Sequence, residues 1–240
     1  MKNSSNSCVW ILYFVLLAFS TICCAQNKAI EEQRETKPVE TSREPNDFFK
    51  RLNAPRFANY FASATWTLTH DYSDSKRVDE VLKTVKDYFS AFEKNERGDR
   101  TELDRLGGVK AFKDKLAVWL NDDDQAIRAF AAVLLGISGD KAYAPQLANL
   151  LKERKYKERD YIHYDRTRAA MALGMIGATE FTEQLAEMLK SKESYDRAGA
   201  AIGLGYLRAK SKIEAIMKLT TDKDEEVRKA AQESLMLMEE

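Results

Sequence analysis

Beyond Cys24 the chain contains no cysteine: its three, Cys8, Cys23 and Cys24, all lie in the first 24 of 240 residues. Everything after that segment therefore has neither a disulfide nor a thiolate metal site, and must be held together by packing. Histidine is nearly as scarce. His70 and His163 stand in different regions, and no H-E-x-x-H or paired His-Glu set accompanies them, so no zinc or di-iron centre is expected. Also lacking are a G-x-S-x-G turn, a phosphate-binding loop and a dinucleotide fingerprint. Acid runs such as Asp122, Asp123 and Asp124 read as solvated turn residues. No catalytic residue, metal or cofactor is assigned. Neither sign of charge dominates, with 38 basic residues against 38 acidic. Nucleic-acid binding rests on neutralising phosphates, and a balanced chain argues against it.

A long apolar run is missing too. Val9 to Phe19 is continuously apolar but falls short of the ~20 residues of a comfortable membrane span. With Lys2 ahead of it and a small-residue stretch ending at Ala25, residues 1–25 read as an export signal, and the destination as periplasmic or secreted. Cleavage after Ala25 leads; an uncleaved anchor and lipidation at Cys23 or Cys24 are the alternatives. Residues 26–47 carry many charges, Pro38 and Pro45, and little that is apolar. Such a segment cannot bury enough surface to order itself, and it is expected to be a tether.

From Phe48 onward the apolar residues recur at helical spacing. Pro55 opens one predicted helix through Phe57, Tyr60, Phe61 and Ala64. Val78, Val81, Leu82, Val85, Phe89 and Phe92 mark a second, and Val109, Phe112, Leu116, Trp119 and Leu120 a third after Gly107 and Gly108. Residues 48–110 are read as an N-terminal helical cap whose aromatic side chains cover one end of the remainder.

That remainder, residues 111–240, repeats. Arg128, Arg166, Arg197 and Arg228 are separated by 38, 31 and 31 residues, and Gly136, Gly174, Gly205 and Met236 take the same steps. Leu116, Leu147, Leu185 and Ile216 are spaced 31, 38 and 31. Both phases give a 31-residue unit with one insertion of seven, between Leu151 and Arg166. Each unit pairs a Leu-rich helix (Gln146 to Lys152, Thr182 to Lys190, Lys212 to Leu219) with an Arg-led, Ala-rich one. A fixed period of two helices predicts an all-α solenoid of about ten helices in total. The recurring glycine costs about 1 kcal/mol of helix propensity against alanine, which points to close packing. Asp124, Glu193 and Asp224 stand four residues before their arginines and are expected to pair with them across one turn, with Asp124 also capping its helix.

The runs I-R-A-F-A-A-V-L-L-G-I-S-G from Ile127 and D-R-T-R-A-A-M-A-L-G-M-I-G from Asp165 resemble HEAT repeats. The short period is most similar to the repeats of phycobilisome-lyase-type proteins. The resemblance covers about residues 110–240 and implies a right-handed α-solenoid of helical hairpins, in which the arginine and a turn acid tie one repeat to the next. HEAT-like proteins serve as scaffolds and inhibitors and, in a few cases, as enzymes. The His-Glu pairs of the HEAT-like metal hydroxylases are not present.

Two departures stand out. Asp165 and Asp196 occupy positions held by Ile127 and Val227 in the other copies; an acid at a helix start suits the macrodipole. The insertion, within Lys152 to Tyr164, holds Tyr156, Tyr161, His163 and Tyr164, and reads either as a functional loop or as added helical turns.

Placing the Arg-led helices at about 100° per residue puts positions three, seven and ten after the arginine on the buried side and two, five and nine opposite. The latter include Phe130, Val133, Arg168, Met171, Met175, Ile202 and Tyr206. In a HEAT-like array that side lines the concave groove. A mostly apolar groove with adaptable methionines is expected to hold a protein or peptide partner, with Tyr161, His163 and Tyr164 as one wall, unless the chain's own N-terminal residues fill it. The leading expectation is thus an exported, non-enzymatic binding scaffold. The alternative is an accessory enzyme of the HEAT-like lyase type acting on a bound small molecule, for which a deep polar pocket near Asp165, Asp196 and His163 is expected.

Overall fold

A computed structural model describes residues 47–52, 54–70, 75–152 and 164–239. The segments expected to be an export signal and, for the most part, a tether, and the insertion up to and including His163, lie outside the described residues. Among the described residues there are twelve α-helices and no strand. They are α1 (Asp47–Leu52), α2 (Pro55–His70), α3 (Ser75–Glu96), α4 (Thr101–Arg105), α5 (Gly108–Trp119), α6 (Gln125–Ser138), α7 (Ala144–Asn149), α8 (Tyr164–Met175), α9 (Thr182–Met188), α10 (Ser194–Tyr206), α11 (Ile213–Leu219) and α12 (Glu225–Glu239). The two short helices α1 and α4 account for the excess over the ten expected.

Four helix pairs, α5/α6, α7/α8, α9/α10 and α11/α12, form the repeat array. The Arg-led helices α6, α8, α10 and α12 stack consecutively as its inner layer, each against its neighbour. The shorter Leu-rich helices flank them, and Leu116, Leu147, Leu185 and Ile216 are all fully buried. Local signals set the turns. Asp124 caps α6, its carboxylate accepting from the Ala126 amide at 2.8 Å. Pro145 sits in the first turn of α7, where its missing amide hydrogen costs nothing.

The glycines at the eighth position after each arginine are where inner helices touch backbone to backbone. A methyl at Gly174 would stand 2.6 Å from Gly203 Cα, and one at Gly136 2.8 Å from Ala172 Cα. Gly205 faces Ser234 Cα at the same 2.8 Å. At such positions an added methyl costs about 1–3 kcal/mol of overpacking, which outweighs the propensity gain. In α12 the equivalent position is Met236, more than half exposed. A methionine there does not allow the close approach that the glycines give, so α12 is built differently from the other three inner helices.

The inner helices also end alike. Gly139 (φ 69°) and Gly177 (φ 71°) take the left-handed conformation three residues past the packing glycine, and Arg208 (φ 51°) holds the same place in the third copy. Its amide donates to Gly205 O at 2.9 Å, and that of Ala209 to Leu204 O at 3.1 Å, closing the helix end. A non-glycine residue in this region costs about 1–2 kcal/mol. Arg208→Gly is therefore expected to raise stability by about 1 kcal/mol, read as a higher urea midpoint with an unchanged slope. An unchanged or lower midpoint would contradict the strain.

The N-terminal helices pack on the first repeat. Phe48, Tyr88, Phe89, Phe92 and Phe112 form an aromatic cluster, with Tyr88 and Phe112 ring centroids 4.6 Å apart and Phe48 and Phe112 5.8 Å apart. Helix α2 goes further and lies along the inner layer.

Candidate functional site: the concave face beneath α2

The arginines come first because they fix where the inner helices begin. Arg128 donates from Nε to Asp165 Oδ2 at 2.6 Å and from Nη1 to the carbonyls of Asp122 (2.6 Å) and Asp123 (3.0 Å). Arg197 repeats the pattern, reaching both oxygens of Asp222 at 2.9 and 2.8 Å and the carbonyls of Ser191 and Lys192. Arg166 Nε stands 3.4 Å from Asp196 Oδ2, which also accepts from Ser191 Oγ. Arg128 and Arg197 thus brace their own turns, and all three reach forward to an acid of the next repeat. The expected pairing with Asp124, Glu193 and Asp224 one turn back is not the one these guanidinium groups make.

Asp165 and Asp196 are consequently buried, at 0% and 1% exposure: Asp165 accepts from Arg128, while Asp196 is ion-paired with Arg166 and accepts from Ser191 Oγ. Their macrodipole role at a helix start is secondary to these contacts. Among the described residues their contacts tie one repeat to the next; His163, the third member of the expected acid neighbourhood, lies outside those residues. Among the described residues no group of three acids, histidines or cysteines is arranged to hold a metal ion.

The concave face itself is occupied. Helix α2 touches all four inner helices with successive side chains. Phe61 meets Phe130 of α6 (ring centroids 6.1 Å), Ser63 meets Arg168 of α8, Phe57 stacks on Tyr206 of α10 (6.2 Å), and Tyr60 donates to Glu233 Oε1 of α12. Arg51 adds a bond to the Met175 carbonyl. The partners of α2 are the very positions that the helical phase places on the concave side. They are not open to a partner, however. Phe130 and Val133 are 1% exposed, Ile202 4%, Met171 5% and Met175 7%. Only Arg168 and Tyr206 of that set stay half-buried. The sequence shows α2's aromatic spacing but not its destination, because an apolar face looks the same whether a partner or the chain itself covers it.

At the edge of α2 a polar seam remains. Tyr60 and Tyr206 meet edge to face at 6.3 Å, and Arg56 lies over the Tyr206 ring at 5.8 Å. Burial, above all, pushes the Tyr60 phenol far above its usual range, and Tyr206 and Glu233 add to the shift. Tyr60 is therefore a fixed donor. Arg168 donates from Nη2 to Ser63 Oγ at 2.6 Å and has Met171 Sδ 3.7 Å from Nη1. Burial pulls its pKa below the ordinary arginine value, with Tyr60 and Tyr164 opposing the shift. Tyr164, at the start of α8, sits 6.1 Å from the Tyr195 ring; Tyr161 and His163 fall outside the described residues. A separate depression of about 130 Å³ is lined by Arg77, Glu80, Thr84, Lys115 and Trp119. It is well below the several hundred Å³ usual for a small-molecule site.

Comparison with known proteins agrees with the repeat reading. Residues 182–240 match the HEAT repeats. No curated protein matches the sequence. Among solved structures the chain is similar to one from the complex of CpcE and CpcF of phycocyanin lyase from Nostoc sp. PCC7120. The two share 21% identity at a TM-score of 0.48, over 86% of this chain and 82% of that one. It is also similar to an engineered protein, at 17% identity and a TM-score of 0.43, over 82% of this chain and 97% of the other.

With its groove filled by α2, the chain does not offer the open channel that a groove-binding, non-enzymatic scaffold requires, and that expectation is withdrawn. Five of the residues assigned to hold a partner, Phe130, Val133, Met171, Met175 and Ile202, are core. Residues 182–240 match HEAT repeats, and the same paired-helix arrangement runs back to Gly108, so the chain is an all-α helical-repeat solenoid from Gly108 onward.

Proposed function

We propose that this protein is an accessory protein of the HEAT-like lyase type, acting on a bound small molecule. One observation carries the reading: the concave face has no room for a polypeptide, yet its rim keeps a short row of polar groups set between aromatic walls. Tyr60, Ser63, Arg168, Tyr206 and Glu233 form that row, with Phe57 behind it. Small-molecule sites are built in this manner, from mostly apolar walls and a few polar groups that fix orientation. The resemblance of its short repeats to phycobilisome-lyase-type proteins supplies the class of activity.

The test is direct. The natively produced protein is purified, denatured in organic solvent, and the extract analysed by mass spectrometry. A single small molecule at near-equal stoichiometry is expected, and it should be lost from a Tyr206→Ala/Tyr60→Phe double variant that still shows a helical spectrum. An extract with no enriched small molecule would overturn the reading.

A further inference from the structure

The turn before α6 is built like the turn before α12. Asp122 and Asp222 each stand six residues ahead of the arginine of the inner helix that follows. Each accepts at Oδ1 from the amide two residues on, that of Asp124 at 3.0 Å and that of Asp224 at 2.9 Å. The carbonyl of each accepts from the following arginine, Arg128 at 2.6 Å and Arg228 at 2.7 Å. The Asp222 carboxylate is then held by Arg197 of the preceding inner helix. Ahead of Asp122 there is only the cap, yet its carboxylate is held in the same way. Arg77, in the first turn of α3, donates from Nη2 to Asp122 Oδ2. The Asp122 side chain is 3% exposed, and among the described residues Arg77 is the one basic side chain within ion-pair distance of it. Helix α3 thus supplies the arginine that a preceding repeat would supply. Its Phe89 packs on Phe61 of α2, so the tie reaches the helix that lies in the groove. Asp122 also anchors Arg128, whose Nε holds Asp165 of α8. One residue therefore joins the cap to the first two inner helices.

We propose that Arg77 makes the cap a stand-in for a repeat and latches it to the ladder, so that the seat of α2 over the inner helices depends on this rung. Helix α2 supplies Tyr60 and Ser63 to the concave rim. The latch sets how firmly that half of the rim is held, whether or not the rim holds a small molecule. The rung is asymmetric, because Arg77 is 52% exposed and Asp122 is buried. Removing the guanidinium strands a carboxylate out of water, which is costly. Removing the charge of the acid leaves an arginine that water solvates, and costs little.

Hydrogen–deuterium exchange is measured on the full-length wild type, Arg77→Met, Asp122→Asn and the double variant. Arg77→Met should speed amide exchange in α2 at least about fivefold, while α12, at the other end of the ladder, changes less than about twofold. Asp122→Asn keeps an acceptor for the Asp124 amide and should speed α2 less than Arg77→Met does. In the double variant the stranded charge is gone, so α2 should exchange more slowly than in Arg77→Met alone. Arg77→Lys should stay within about twofold of the wild type, because one nitrogen makes the bond and an ammonium can take its place. Three results would each overturn the latch: α2 exchange in Arg77→Met that matches the wild type, equal acceleration of α2 and α12, and a double variant that exchanges faster in α2 than Arg77→Met.

Discussion

Replacing Asp165 by alanine is expected to destabilise the protein by about 3–5 kcal/mol, one of the largest single effects available in the repeats. Asp165 is completely buried and takes the Nε hydrogen bond of Arg128, whose side chain is itself only 7% exposed. Removing the carboxylate leaves that guanidinium buried with two backbone carbonyls and no counter-charge. At this chain length the loss corresponds to a fall in melting midpoint on the order of 10 °C. The companion pair Arg197 and Asp222 is more accessible, at 8% and 11%, so Asp222→Ala should cost less. The double variant Arg128→Met/Asp165→Leu should recover much of the loss, since apolar residues of similar volume often replace a buried pair without penalty. If Asp165→Ala unfolds within about 1 kcal/mol of the wild type, the forward ladder does not hold the repeats together.

The same acid shows where reading a sequence stops. The spacing of Arg128, Arg166, Arg197 and Arg228 is visible because each repeat must meet the next with the same residues. The glycines Gly136, Gly174 and Gly205 are visible for the same reason: an added methyl would stand only 2.6–2.8 Å from a backbone Cα of the next inner helix. Asp165 and Asp196 look like ordinary helix-start acids, because their partner lies a whole repeat earlier and no local pattern joins them. The groove is a harder case. The helical phase picks out the side on which Phe130, Arg168, Tyr206 and Glu233 lie, since that depends only on residues within one helix. What covers that side depends on a non-repeating helix more than 60 residues away in sequence from Phe130, and its aromatic stripe at Phe57, Tyr60 and Phe61 would look the same at the end of the solenoid. Arg168 falls between these cases. It is legible as a groove residue, but its contact with Ser63 of α2 emerges only in the folded chain.

The occupied groove makes a second large prediction, Phe61→Ala. Phe61 is 2% exposed and lies between Phe89 of α3 and Phe130 of α6, with ring centroids at 5.7 and 6.1 Å. It joins α2 to the adjacent α3 and to α6, which is distant in sequence. Truncation removes the ring's transfer free energy and leaves a cavity that α2, held by Tyr60 and Ser63 on its other contacts, cannot collapse to fill; the cost of such a change is about 3–5 kcal/mol. Trp66 stands five residues further along the same helix, 55% exposed and stacked on His70 at 4.9 Å. Trp66→Ala should therefore stay within about 0.5 kcal/mol of the wild type. The contrast separates a helix that is part of the core from one laid loosely over an open binding face. In the first case only Phe61→Ala shifts the urea midpoint, and it also raises binding of a hydrophobic dye as Phe130, Met171 and Ile202 become accessible. In the second, both variants unfold at the wild-type urea concentration and the dye already binds the unmodified protein. That outcome would reopen the concave face to a polypeptide partner, and the small-molecule reading would lose its support.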